Sequence, residues 1–406
     1  MRQALASVSR PPDSAAVERP VGVAVATPFL PELESLRGIA MVVVFAFHLN
    51  SNLRYPFSYT VGEWVSPAAA FMRAGHSGVD LFFILSGFLL SLPFLSQSAG
   101  GRRVAVSRYF VRRALRILPL YYAAVLCATL LSAADLSQLW RGIPYLFFLN
   151  SVGDGATPLP PYSNVWWSLG TEAQFYLVLP LLPLAFGSRR RELGAMLIFA
   201  LWAAAYLSFV TRTLRGDTIA EQITLGVSLL ARAPMFLAGI AAAWVYLHHG
   251  VSLRRRLAGL SALRNGGADL GLLAILAALA YVLRWVVWLG PQREMSPEYQ
   301  IWHLPETVLW TAFILLMLLA PLRLKPLLSN SILSRLGVLS YSIYIVHVPV
   351  MVFGRIALRE QWPGLSGNMQ WLAFAPFICL ATVALAEVTY RWIEQPFLRR
   401  KEQWRA

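Results

Sequence analysis

The chain has 406 residues, of which 57% are hydrophobic and 14% charged, and its mean hydropathy of +0.56 exceeds that of an ordinary soluble domain. These values exclude a soluble globular protein and predict a polytopic membrane protein. The formal net charge of +15 does not indicate a nucleic-acid partner, because the basic residues fall in short clusters between apolar segments.

The N-terminal segment is polar and interrupted by prolines, so it lacks the apolar core of a signal peptide. We expect residues 1–30 to form a disordered cytoplasmic tail and the first apolar segment to remain as an uncleaved anchor. Residues 31–398 are predicted to form one transmembrane domain. A short basic cytoplasmic tail follows at 399–406.

The first apolar segment, LESLRGIAMVVVFAFHLN, carries Arg37 and His48 where an ordinary span carries neither. A spanning helix needs roughly 20 apolar residues and the uninterrupted run here is about eleven, so the span includes at least one of the two. At ~100° per residue, this separation places both side chains on one helix face about 16 Å apart. Because ionisable groups inside a membrane are costly, this face is predicted to line a functional cavity. His48 is the candidate general base, and the alternative is a core histidine bonded to a neighbouring helix.

Apolar segments separated by Pro, Gly and charged residues predict an all-α polytopic fold with about ten transmembrane helices around a polar cavity. The predicted spans are residues 34–53, 78–97, 117–135, 170–187, 193–211, 228–248, 269–289, 304–321, 332–353 and 371–392. Clusters of basic residues follow every second span, on the side of the N-terminus. Both termini are therefore expected to be cytoplasmic, in a plasma or inner membrane.

Four arginines precede the third span in SRYFVRRALRILPLYY, and we call Arg108, Arg112, Arg113 and Arg116 the arginine patch. Cytoplasmic loops carry arginine for topology alone, which is one explanation. The i, i+1 and i+4 spacing of the last three nevertheless directs two of them to one side of the helix entrance. Because a guanidinium matches phosphate geometry, the patch is also a candidate phosphate site.

Two carboxylates begin predicted spans from the outer side, Asp80 in GVDLFFILSGFLL and Glu172 in WWSLGTEAQFYL. Each can act as a helix cap alone. The alternative is that they lie at the level of His48 and that one of them orients its imidazole. Ser86 and Gly87 lack the sequence context of a catalytic serine and are interpreted as small residues for close helix packing.

A second intramembrane histidine, His347, follows four hydroxyl residues in LSYSIYIVHVPV. It either bonds to a neighbouring helix or helps to line the cavity. Cys127 and Cys379 lie in apolar segments without a partner at disulfide or metal-ligand spacing, so neither a disulfide nor a metal site is predicted.

Together these segments resemble the membrane-bound acyltransferase-3 family over residues 32–400. The resemblance is carried in order by LESLRGIAMVVVFAFH, GVDLFFILSGFLLS, YFVRRALRILPLYY, WWSLGTEAQFYLVLPLL, LSYSIYIVHVPV and RWIEQPFLRR. It implies transfer of an acyl group, commonly acetyl from acetyl-CoA, to a hydroxyl of a sugar, glycan, lipid or secondary metabolite. The family requires an Arg and a His in the first helix, which correspond to Arg37 and His48. Its Arg pair before the third helix corresponds to Arg112 with Arg113 or Arg116.

Many members of the family carry an additional extracytoplasmic hydrolase-like domain. This chain ends 14 residues after the last predicted span, which closes at residue 392, so we expect it to act as a single module or to hand its acyl group to a separate protein. Stand-alone members that resemble it include macrolide O-acyltransferases and polysaccharide O-acetylases. The acceptor, the acyl chain length and the oligomeric state stay open.

The expected mechanism begins with acyl-CoA entering from the cytoplasm and its phosphates binding the arginine patch. The pantetheine arm then passes Arg37 toward His48, which deprotonates the acceptor hydroxyl for attack on the thioester carbonyl. Glu172 or Asp80 orients the imidazole, and no metal takes part.

The alternative function is a transporter or exporter of a small polar anion that uses the buried Arg37 and His48, although the sequence has no evident internal repeat. A scaffold for a partner enzyme is a third hypothesis.

Overall fold

The structure is a computed structural model that describes residues 30–53, 60–61, 64–133, 136–149, 161–186, 188–215, 225–288, 301–365 and 367–402. Most of the predicted N-terminal tail and the last four residues of the predicted C-terminal tail lie outside these ranges. Within them the chain is helical, apart from one antiparallel pair of two-residue strands.

The elements are numbered in chain order. The N-terminal third contains α1 (Pro31–Asn52), β1 (Thr60–Val61), β2 (Trp64–Val65), α2 (Pro67–Arg73), α3 (Ser77–Ser98) and α4 (Val106–Ser132). The central part contains α5 (Ile143–Leu146), α6 (Trp167–Val178), α7 (Arg189–Arg215), α8 (Leu229–Gly259) and α9 (Ala268–Trp288). The last part contains α10 (His303–Leu319), α11 (Lys325–Leu328), α12 (Ser331–Gln361), α13 (Gly367–Thr389) and α14 (Gln395–Glu402). Short 3₁₀ and π segments lie at Leu136–Gly142, Pro161–Trp166, Leu179–Ala185, Leu263–Gly267 and Tyr390–Glu394.

Seven helical segments of the described chain are long and apolar enough to cross a membrane. They are Ser77–Ser98, Val106–Ser132, Arg189–Arg215, Leu229–Gly259, Leu263–Trp288, Lys325–Gln361 and Met369–Arg400. The other three predicted spans fall on α1, which carries charged residues, on the 12-residue α6 and on the 17-residue α10. The all-helical membrane fold is therefore confirmed, and the count of ten spans stays a prediction.

Local signals explain where the two helices that carry the site begin. α1 starts with Pro31 in its first turn, followed by Glu32 and Glu34, and acidic residues there complement the helix dipole. α12 starts after Asn330, whose side-chain oxygen accepts a hydrogen bond from the Leu333 amide at 3.0 Å. These two helices therefore have well-defined cytoplasmic-side starts in the predicted topology.

α1 packs along α12, and small residues set how close the two backbones come. A Cβ atom added at Gly337 would lie 1.8 Å from the Glu34 carbonyl oxygen, and one at Gly38 would lie 2.0 Å from the Leu333 carbonyl oxygen. Neither position has room for a side chain, so the glycines permit this contact. The close contact fixes the register between the polar residues of α1 and those of α12.

The outer face of the bundle is apolar, as a lipid-facing surface requires. On α7 this face includes the exposed side chains of Leu193, Met196, Leu197, Ile198 and Phe199. Together with the apolar helices, this surface makes the chain an integral membrane protein.

Candidate functional site

A cavity of about 280 Å³ lies between α1, α3, α4, α6 and α12. One part of its wall is apolar, with Phe82, Phe83 and Leu169 among its residues. The other part is polar and charged. Its polar residues are Glu34, Arg37, Ser86, Arg113, Arg116, Ser168, Glu172, Tyr176, Ser340, Tyr341 and Tyr344.

Arg37 extends from α1 into this cavity, and α12 holds its guanidinium. The Nη2 group donates a hydrogen bond to the Ser340 hydroxyl at 3.1 Å. The buried Nε has no hydrogen-bond partner among the described residues, and the carboxylates of Glu34 and Glu172 line the same cavity. Arg37 therefore places a guanidinium group, which carries five N–H donors, in the wall of the cavity.

Two members of the arginine patch line the same cavity, as the predicted spacing requires. The Arg113 guanidinium lies 6.0 Å from the ring centroid of Tyr176, and Arg116 Nη1 lies 3.8 Å from Glu394 Oε1. In the described part of the chain, Arg108 and Arg112 do not line the cavity, and Arg108 is exposed. Helix periodicity alone does not give this division, because Arg112 and Arg113 lie four and three residues from Arg116 and either can share its face. The structure places Arg113 in the cavity wall with Arg116.

Glu172 also lines the cavity, which places it with Arg37 rather than with His48. Its Oε1 accepts a hydrogen bond from the Ser86 hydroxyl at 2.5 Å. The sequence predicted Glu172 in the first turn of its span. In the structure, helical backbone already begins at Pro161, so Glu172 lies about three turns into a continuous helical segment rather than in its first turn.

Ser86 and Gly87 have different roles. The interpretation as small packing residues is correct for Gly87, because a Cβ atom there would lie 2.4 Å from the Phe236 carbonyl oxygen on α8. It is wrong for Ser86, whose hydroxyl lines the cavity and bonds to Glu172.

His48 pairs with His347. The Nδ1 of His48 lies 3.2 Å from Nε2 of His347 and 3.0 Å from the Val44 carbonyl oxygen. Within the described residues, neither Glu172 nor Asp80 hydrogen-bonds to the His48 ring, so the predicted orienting role of a carboxylate is not seen. His48 does not line the cavity that contains Arg37.

Asp80 belongs to a separate buried cluster. Its Oδ1 lies 3.6 Å from Arg232 Nη1 on α8, and the buried carboxyl of Glu306 on α10 is its neighbour. Arg232 also donates to the Gly226 carbonyl oxygen at 2.7 Å and lies over the Trp167 ring at 5.6 Å. The three groups predicted to lie at one level therefore have different partners, which are His347 for His48, Ser86 for Glu172 and Arg232 for Asp80. Their relative depth in the membrane stays a prediction.

The hydroxyl residues before His347 connect α12 to several other elements. Tyr341 donates to the Ile117 carbonyl oxygen of α4 at 2.6 Å, and Ser342 donates to Glu394 at 2.9 Å. Tyr344 bonds to the Ser168 hydroxyl at 2.7 Å. Because these residues are buried on several sides, α12 is a central helix of the bundle.

Several residues of this arrangement were not predicted as site residues. Ser340, Glu34 and Glu394 are among them, as are Arg232 and Glu306 of the separate cluster. Arg232 and Glu306 each lie in an otherwise apolar segment, and an isolated ionisable residue in such a segment is a detectable signal. Ser340, Glu34 and Glu394 instead occur where helix ends or hydroxyl residues are ordinary, and their positions in the sequence give no such signal.

No group of three or more His, Cys, Asp or Glu residues that could hold a metal ion occurs in the parts of the chain that the structure describes. The expectation of a metal-free reaction stays a prediction.

Sequence comparison supplies the family. A family model described as an acyltransferase domain, that of the acyltransferase-3 family, matches residues 30–391. The chain belongs to this family. The chain is similar to the peptidoglycan O-acetyltransferase OatA of Listeria monocytogenes, with 24% identity over 389 residues, covering 91% of this chain and 56% of the relative. It is also similar to the O-acetyltransferase OatA of Staphylococcus aureus, with 24% identity over 399 residues, covering 92% and 58%.

The chain thus spans less than three fifths of the length of these two curated relatives, because the match covers 56% of the first and 58% of the second. No solved structure matches the chain. The family membership confirms the resemblance seen in the six sequence segments.

Proposed function

We propose that this acyltransferase-3 protein is a membrane O-acyltransferase that moves an acyl group, in the first instance acetyl, from acyl-CoA to a hydroxyl of a glycan. One observation carries the proposal, namely that Arg37, Arg113 and Arg116 from two helices line a single cavity with Glu172. The cavity wall thus holds three guanidinium groups and two carboxylates, those of Glu34 and Glu172. An excess of guanidinium groups suits a polyanionic ligand, and the rest of the wall suits its uncharged arm. The names of the relatives favour acetyl as the acyl group and a peptidoglycan-type glycan as acceptor.

In this proposal the CoA phosphates bind Arg113 and Arg116 at the cytoplasmic end of the cavity. The pantetheine arm crosses the cavity, where the Arg37 guanidinium donates to one of its amide carbonyl oxygens. The thioester then extends toward His48, about 16 Å farther along α1 by helix rise. The apolar part of the wall accommodates the methylene groups of the arm.

The reaction itself requires a base near the thioester carbonyl. The acceptor hydroxyl gives its proton to His48 as its oxygen attacks the carbonyl carbon. The tetrahedral intermediate collapses with cleavage of the carbon–sulfur bond, and the CoA thiolate takes up the proton from the imidazolium. The products are the acyl ester and CoA, and no net proton is released.

The arrangement in the membrane is part of the same proposal. We infer ten spans around the polar cavity, with both termini in the cytoplasm, since each predicted segment contains a helix and each basic cluster follows an even-numbered predicted span. This orientation opens the arginine end of the cavity to cytoplasmic acyl-CoA. It places His48 in the outer half, where a glycan acceptor is accessible.

A transfer assay with purified protein in lipid nanodiscs tests the function. We expect acetyl-CoA and a glycan acceptor to give free CoA thiol together with an acetyl mass increase on the glycan. His48→Ala should lower turnover by about 10²- to 10⁴-fold, the usual contribution of a positioned base. His248→Ala is the matched control, because the His248 Nδ1 lies 3.0 Å from the Trp244 carbonyl oxygen, the same local contact that His48 makes.

Near wild-type turnover of a correctly inserted His48→Ala variant would reject the base. Absence of saturable acyl-CoA binding, together with export of a small anion by the same protein, would replace the enzyme by the transporter alternative.

A further inference from the structure

The protonation pattern of His347 follows from its backbone contacts. The ring is fully buried, and its Nδ1 lies 2.8 Å from the Tyr344 carbonyl oxygen and 3.1 Å from the Ile343 carbonyl oxygen. A carbonyl oxygen only accepts hydrogen bonds, so Nδ1 of His347 carries the hydrogen. In a neutral imidazole the other nitrogen, Nε2, then presents a lone pair.

The pattern of His48 follows from that of His347. The His48 Nδ1 faces two acceptors, the Nε2 lone pair of His347 at 3.2 Å and the Val44 carbonyl oxygen at 3.0 Å. It therefore carries the hydrogen of the neutral ring, and the lone pair is on Nε2. Among the described residues no group hydrogen-bonds to Nε2 of His48, so this lone pair is available to a substrate hydroxyl.

We propose that His347 is a positioning residue that holds His48 in the tautomer and ring orientation with a free Nε2 lone pair. The proposal rests on the proposed function, in which His48 is the general base. The Val44 carbonyl alone leaves the ring with one weak constraint, whereas a second acceptor on another helix restricts both its rotation and its tautomer. His347 thus takes the place that the sequence assigned to Glu172 or Asp80.

The helix contact supports this role. The two rings are on α1 and α12, whose backbones are held in close contact at Gly38 and Gly337. During the reaction the substrate proton moves to His48 Nε2 while Nδ1–H stays shared with His347, and the proton later leaves from Nε2 to the thiolate. His347 donates and accepts no proton in this cycle.

Two conservative substitutions separate positioning from packing. In His347→Gln the side-chain amide reaches the position of Nε2 and can offer an oxygen to His48. In His347→Asn the amide reaches only the position of Nδ1, so it keeps the backbone contact and loses His48. We expect the Gln variant to retain turnover within about 5-fold of wild type, and the Asn variant to lose about 10- to 100-fold in kcat with an unchanged KM for acyl-CoA.

Nitrogen NMR of protein labelled with ¹⁵N-histidine reads the tautomer directly. The His48 signals, assigned by their loss in His48→Gln, should show a protonated Nδ1 and a bare Nε2 in wild type, and a mixture in His347→Asn. Equal loss of kcat in both His347 variants, wild-type kcat in the Asn variant, or a protonated Nε2 in wild type would each overturn the inference. Full activity of His48→Ala would instead reject the proposed function, so the two failures are distinct.

Discussion

Neutralising single arginines of the patch gives the sharpest test of the cavity as an acyl-CoA site. Arg112 and Arg113 are adjacent on α4 but differ in position. Arg113 lines the cavity together with Arg116, whereas Arg112 does not. A hydrogen bond to a charged group contributes about 1.5–3 kcal/mol. Since ~1.4 kcal/mol corresponds to a tenfold change in affinity, each lost arginine should weaken binding by roughly 10- to 100-fold.

The two cavity arginines should differ in magnitude. Arg116 is already ion-paired with Glu394 at 3.8 Å, and part of its charge is neutralised before a ligand arrives. Arg113 has no ion pair with a carboxylate among the described residues, and its neighbour is the Tyr176 ring. We therefore expect Arg113→Gln to weaken CoA binding toward the 100-fold end and Arg116→Gln toward the 10-fold end.

The assay is equilibrium titration of the purified protein in nanodiscs with CoA at low and high salt. Arg112→Gln is the matched control, and we expect its dissociation constant to stay within about 3-fold of wild type. The differences among variants should shrink as salt screens the charges. If Arg112→Gln weakens binding as much as Arg113→Gln, the patch acts through general charge and the cavity assignment fails.

Three further predictions concern stability and topology. Gly337→Ala should lower the free energy of unfolding by about 1–3 kcal/mol because its Cβ has no space beside α1, whereas Gly271→Ala, which meets no atom within 4 Å, should be neutral or stabilising in the same thermal unfolding assay. Glu394→Gln should lower stability by about 1–3 kcal/mol, since the buried carboxylate pairs with an arginine and accepts from a serine, and a wild-type melting temperature would contradict this. Reporter fusions after Arg191 and Arg256 should both report the cytoplasm, and a reporter found outside at either position would reject the proposed orientation.

The sequence by itself determined the class of the protein and most of its helices. The length of an apolar segment is a local property of the sequence, so each predicted span overlaps a helix in the structure. Helix periodicity also predicted that two arginines of the patch point the same way. It did not decide which two, because Arg112 and Arg113 lie four and three positions from Arg116 and either can share its face. The acyltransferase-3 resemblance was readable in the same way, from short segments in a fixed order.

Only the tertiary structure decided which helices bring polar groups together. The partner of His48 lies 299 positions away in sequence, and Asp80 pairs with Arg232 rather than with the histidine. The His48–His347 pairing depends on the register of α1 against α12, which the close approach at Gly337 permits. The Asp80–Arg232 pairing depends on the packing of α3 against α8. Periodicity fixes the direction of a side chain about its own helix axis, but the position of that helix against another comes from packing of the whole bundle.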